Sequence, residues 1–109
     1  MRNPLQSMFE NQFAQVSENL TKALEELEAA EIEGSAGGGA VRVHVTGSGQ
    51  ILDVKISPAA VQPEDIELLE DLVCAAMRDA FAKATQLKKE KLMSATPLGA
   101  LGLDVPNVF

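Results

Sequence analysis

AVRVHVTGSGQILDVKIS, residues 40–57, alternates apolar and polar side chains in two runs joined by a glycine-bearing turn. In the first run Val41, Val43 and Val45 share one face while Arg42, His44 and Thr46 take the other. Leu52, Val54 and Ile56 repeat the pattern in the second run. A period of two is the signature of a strand with one buried face, so the stretch predicts a β-hairpin. Its connection, Gly47-Ser48-Gly49, supplies two residues able to take a positive φ in a short loop, which pins the register.

Upstream, EIEGSAGGG at residues 31–39 carries four glycines within six residues, which cannot sustain a helix and can bend or loosen an edge strand. Before it, Phe9, Phe13, Val16, Leu20, Ala23, Leu27 and Ala30 recur at alternating spacings of four and three. That spacing predicts a long helix over about Pro4 to Ala30, whose stripe fits either a partner helix or the protein's own sheet. Downstream, Ser57-Pro58 ends the second strand and Gln62-Pro63 opens a second long helix, since proline at the first turn lacks only an N–H that would be unpaired anyway. The second helix carries Ile66, Leu69, Val73, Ala76, Met77, Ala80, Ala84 and Leu87 as one stripe, with Leu68, Leu72 and Ala75 on another side. Two faces therefore ask for burial, and a subunit partner is the economical way to cover the second. After Met93 the periodicity stops. The expected organisation is one domain over residues 1–95 and a flexible tail over 96–109.

Composition bounds the function. A chain of 109 residues buries a modest core unless it shares one with a partner. With no Trp, no Tyr and four Phe, that core is built from aliphatic side chains and alanine. The chain has no apolar run long enough to span a membrane, and no secretory leader is read at its start, so it reads as cytoplasmic. The single cysteine, Cys74, cannot form an internal disulfide; set between Val73 and Ala75, it is expected to be a buried structural thiol. Nine Lys and Arg against sixteen Asp and Glu give a net charge of −7, a balance that by itself speaks against nucleic acid.

No arrangement of residues assembles an active site. His44 has no second His or Cys at metal-site spacing, so it is expected to be a surface histidine, and no metal or other cofactor is predicted. The three consecutive glycines at 37–39 lack the Lys-Ser or Lys-Thr ending of a phosphate-binding loop. The acid pairs Glu64/Asp65 and Glu70/Asp71 lie at an exposed helix start, where carboxylates are stabilised as anions rather than tuned for proton transfer. A small-molecule substrate is not expected, and an enzyme is the remotest reading.

Charge is unevenly placed. Glu64, Asp65, Glu67, Glu70 and Asp71 crowd the start of the second helix, and Arg78, Lys83, Lys88, Lys89 and Lys91 follow towards its end. This order complements the helix dipole and needs no function to explain it. The next stripe position after Leu87 is Lys91, which predicts that the last turns leave the core and present cations outward, where phosphates could meet them. Glu25, Glu26, Glu28 and Glu31 sit at the end of the first helix against the dipole, either solvated or paired with that lysine-rich end.

Taken together, the long first helix, the segment from Glu31 to Pro58 and ELLEDLVCAAMRDA at residues 67–80 resemble the YbaB/EbfC family of bacterial nucleoid-associated proteins. The likeness covers most of the chain, and its specificity lies in the order of the glycine-rich stretch, hairpin, Ser-Pro exit and second helix. The resemblance implies an α+β subunit of order α-β-β-β-α with a three-stranded antiparallel sheet, Glu31 to Ala36 forming the first strand. It further implies a tweezer-like homodimer whose projecting helices grip double-stranded DNA with limited sequence preference, influencing chromosome organisation and transcription in the nucleoid. Positions that would meet phosphate are Lys22 on the first helix and Arg78, Lys83, Lys88, Lys89 and Lys91 on the second, with Arg42 and Lys55 as strand-borne alternatives. Only Lys22 is basic between Asn3 and Gly39, so binding is expected to be weak, largely nonspecific and salt-sensitive. The competing reading is an acidic protein-interaction module with weak or no direct DNA binding. Charge geometry separates the two, because uncompensated carboxylates repel phosphate within a Debye length of about 10 Å.

Overall fold

The structure, a computed structural model, describes residues 3–95. The element order is α1 (Pro4–Ala29), β1 (Glu31–Ala36), β2 (Val41–Thr46), β3 (Ile51–Ile56), a short 3-10 turn (Pro58–Ala60) and α2 (Ile66–Ser94). This is the expected α-β-β-β-α order, and the three strands form one antiparallel sheet in the order β1-β2-β3. The tail expected at 96–109 lies outside the described residues.

α1 begins at an Asn3 cap whose side chain accepts the Leu5 N–H, with Pro4 in the first turn. It ends where Ala30 turns extended and passes the chain to β1. The strand then runs through Gly34 to Ala36 and reverses over Gly37, Gly38 and Gly39, all at positive φ, a conformation that other residues take at a cost. The β2–β3 turn differs from expectation: only Gly49 is at positive φ, at 93°. Gly47 is needed for space instead, since a β-carbon there would stand 2.8 Å from the Leu27 carbonyl oxygen at the end of α1. The register is also not uniform, because a bulge between His44 and Val45 leaves Leu52 unmatched on β3.

α2 starts three residues later than Pro63 suggested. Asp65 is its cap, accepting the Leu68 N–H at 3.2 Å, while the Asp65 N–H bonds back to the Gln62 carbonyl and holds Pro63 in a turn. An Asp cap fixes a helix start more firmly than a proline, which tolerates turns equally well.

The core lies between α2 and the β1–β2 half of the sheet. Val41, Val43 and Val45 meet Ala76, Ala80 and Ala84, with Ile32, Ala36, Leu69, Leu72, Val73, Met77 and Phe81 packed round them. Small residues on α2 let the helix approach so closely that Gly34 touches its backbone. α1 adds Ala23 and Leu27, both buried, and runs against α2. The expected stripe on α1 is therefore divided: Val16 and Leu20 are half-buried, and Phe13 is 71% exposed.

α2 is offset towards β1 and leaves β3 outside its cover. All six residues of β3 are exposed, among them Ile51, Leu52, Val54 and Ile56. Leu68, on the second apolar face of α2, is likewise exposed, and so is Ile66, which corrects its expected place in the buried stripe: the packing of α2 on the core begins only at Leu69. Cys74 corrects expectation: it is exposed, because α2 turns the ridge of Ala76, Ala80 and Ala84 to the sheet and Cys74 away from it.

Candidate functional site

The C-terminal halves of the two helices come together. Asn19, Ala23 and Glu26 of α1 border Leu87, Lys91, Ser94 and Ala95 of α2 there. Between them is a shallow groove of about 360 Å³ lined also by Lys22 and Glu90. It brings together Lys22 and Lys91, two of the residues singled out in the sequence, from opposite ends of the chain. Lys88 and Lys89 stand within one turn of Lys91 and are half-buried, each engaged in an interaction of its own.

The groove is not purely cationic. The Lys91 ammonium donates to a Glu26 carboxylate oxygen at 2.7 Å, which corrects the outward-pointing lysine expected from the stripe. α1 occupies the place where solvent was expected, and Lys91 is half-buried against it. That hydrogen bond, reinforced by the charges of Lys91 and then Lys22, holds the Glu26 carboxyl below the usual carboxylate range. Of the four acids at the end of α1, Glu25, Glu28 and Glu31 are exposed beside it.

The other candidate cations fall elsewhere. Arg78 is exposed on α2, two residues from the buried Ala80 and Ala76. Lys83 is engaged at the outer edge of β1, donating to the Glu33 carbonyl oxygen and to Asp79, both at 3.1 Å. Arg42 lies on the sheet face turned away from α2, opposite Lys55 in register, with its guanidinium beside Gly39. The structure thus gathers Lys22, Lys88, Lys89 and Lys91 at one helical end, and sets Arg78, Lys83 and Arg42 apart from them.

The face bearing Arg42 holds a cluster that the sequence reading missed. His44 on β2 presents one ring nitrogen to Asp53 on β3, at 2.5 Å, and the other to Glu33 on β1, at 3.0 Å. The hydrogen bond to Asp53, then that to Glu33, raises the His44 pKa above its ordinary 6.5. The two carboxylates approach the ring from opposite sides, so the three groups do not converge on a metal. Among the described residues no group of His, Cys, Asp and Glu is placed to hold one. Nor, among the described residues, is any helix long and apolar enough to cross a membrane.

The sequence profile of the YbaB/EbfC DNA-binding family matches residues 2–100. A nucleoid-associated protein of Dictyoglomus turgidum is 40% identical over 106 residues, spanning 97% of this chain and 96% of its own length. Another from Saccharopolyspora erythraea is 47% identical over 91 residues, 84% of this chain and 77% of its own. In shape, an uncharacterized protein of Helicobacter pylori superposes with a TM-score of 0.68 over 83% of this chain and 92% of its own, at 19% identity, a likeness of fold.

Proposed function

This chain belongs to the YbaB/EbfC DNA-binding family, and on that premise we propose that it is a nucleoid-associated protein that binds double-stranded DNA as a homodimer and catalyses no reaction. The observation that carries the reading is the convergence of Lys22 with Lys91 in the groove between α1 and α2, with Lys88 and Lys89 within a turn. Cations brought together where two helices meet make a phosphate-binding surface even where the net charge is −7, because phosphate responds to local potential. Contacts of this kind read the DNA backbone, so sequence preference is limited and affinity falls steeply with salt. Effects on chromosome organisation and gene expression follow from occupancy of many sites in the nucleoid.

The dimer is supported by β3. Its apolar side chains stand in solvent in the isolated subunit, an arrangement that costs about 25 cal/mol per Å² of apolar surface left in water. A second copy covering β3 removes that cost and doubles the cations available to one duplex.

The test is a fluorescence-anisotropy titration of labelled duplex DNA at low and physiological salt, with the wild type beside a Lys88→Ala/Lys89→Ala/Lys91→Ala variant. The expected result is binding with a steep salt slope that the variant loses. Equal binding by the variant moves the site to Lys22, Arg42 or Arg78. No binding at low salt overturns the DNA reading in favour of a protein partner for the acidic surface.

A further inference from the structure

The two edges of the sheet are treated differently. The Gly47 N–H bonds to the Ala30 carbonyl at 3.1 Å, and this sets the alternation in the β1–β2 ladder. Residues 30, 32, 34 and 36 turn their backbone groups inward, and Glu31, Ser35 and Glu33 turn theirs to the open side. Two of those outward groups are occupied by side chains of α2. The Ser35 N–H donates to Asp79 Oδ2 at 3.0 Å, and Lys83 Nζ donates to the Glu33 carbonyl at 3.1 Å. Asp79 and Lys83 also bond to each other across one helical turn, at 3.1 Å, so a single unit covers both. Glu31 and Glu33 also belong to this strand, with the Glu33 carboxylate turned to His44 on the sheet face away from α2.

At the other edge, the Ser57 N–H bonds to the Ala40 carbonyl, which turns the backbone groups of Val54 and Ile56 outward. No side chain of the described residues is placed over them as Asp79 and Lys83 are over β1. A row of free N–H and C=O groups is a template for strand addition, and proteins commonly block it with charge or by covering the edge.

We propose that Asp79 and Lys83 form an edge seal that denies the outer side of β1 to a strand from another copy of this chain. The offset of α2 towards β1 is what places them there, and the same offset uncovers β3. Association between copies is thereby confined to the β3 side and closes at a finite size; an open β1 edge would let copies add strand to strand without limit. This goes beyond the DNA reading and uses the dimer reading only to say which side remains available. Lys83, on this view, is committed to β1 and contributes little to phosphate binding.

The test compares the full-length wild type with Asp79→Ala/Lys83→Ala, and with that variant carrying Ser35→Pro in addition, by light scattering over a range of concentrations. Proline removes the outward N–H of Ser35 and blocks strand addition by other means, at a site where an edge strand accepts it. The double variant is expected to grow with concentration to at least about twice the wild-type mass, and Ser35→Pro to return it to the wild-type value. A folded double variant that keeps the wild-type mass throughout overturns the seal. So does enlargement of the assemblies by Ser35→Pro, because general destabilisation would be worsened by proline. If the double variant loses its fold, Lys83→Met alone, which frees the Glu33 carbonyl, is expected to show the smaller growth, and wild-type mass there overturns the proposal. A wild type that is itself monomeric removes the dimer reading but leaves the difference between variant and wild type to decide the seal.

Discussion

Gly34 lies directly against Ala80: a β-carbon built on Gly34 would stand 2.3 Å from the Ala80 amide nitrogen and 2.4 Å from the Ala76 carbonyl oxygen. Strand and helix meet backbone to backbone here, and neither backbone can yield as a flexible side chain would. Gly34→Ala is therefore expected to cost about 1–3 kcal/mol or more, the range for forcing extra atoms into a packed core. Urea denaturation should show a lower midpoint with an unchanged slope. An unchanged midpoint would mean that α2 can lift from β1, and with it that the position of Asp79 and Lys83 is not fixed by this contact.

His44 predicts a pH dependence. Only the imidazolium can donate from both ring nitrogens, to Asp53 and to Glu33, and its pKa is raised by those partners. The stability it contributes is complete below the ordinary value of 6.5 and is lost as pH rises through the higher folded value. The difference in urea midpoint between wild type and His44→Gln should thus shrink as pH rises through that window. The chain has one histidine, so its proton NMR titration reads the folded pKa without assignment. A value at or below the ordinary one would remove the cross-strand bridge from the account.

Much of this was legible from local pattern. The alternation through Val41, Val43 and Val45 revealed β2 and its buried face, and the 3-and-4 spacing from Phe9 to Ala30 revealed α1, which ends one residue earlier at Ala29. β1 was not legible from alternation, because Gly34 leaves one apolar position without a side chain; it followed from resemblance to the family. The cross-strand cluster was within reach, since the register that pairs Arg42 with Lys55 also pairs His44 with Asp53 and Glu33. The fates of Lys83 and Lys91 were not. Each depends on a partner 50 or 65 residues away, Glu33 and Glu26, which no spacing within one helix reveals.

β3 carries the prediction about assembly. Val54 and Ile56 are 37% and 41% exposed in the single subunit, on a strand that α2 does not cover. Val54→Lys places a charge where a second copy would bury apolar surface, and a desolvated unpaired charge is strongly unfavourable. Light scattering is expected to give half the wild-type mass, with the far-UV circular dichroism retained. Wild-type mass in a folded Val54→Lys protein would place the dimer interface elsewhere, for instance along the exposed stripe of α1 at Phe13.

The ion pair between Glu26 and Lys91 sets the last expectation. Glu26 competes with phosphate for Lys91 and adds a negative charge to the groove that also holds Lys22. Glu26→Gln removes that charge while leaving an oxygen that can still accept from Lys91. Duplex affinity at low salt should then rise a few-fold, and the salt slope should steepen by about one further ion released. Lys91→Ala should do the reverse, and Glu64→Gln before the opposite end of α2 should change little, since bulk charge alone acts weakly at that distance. Equal gains from Glu26→Gln and Glu64→Gln would show that affinity follows net charge rather than the groove. No change from either Glu26→Gln or Lys91→Ala would take the groove out of the DNA interface, leaving Arg42 and Arg78 as the positions to test.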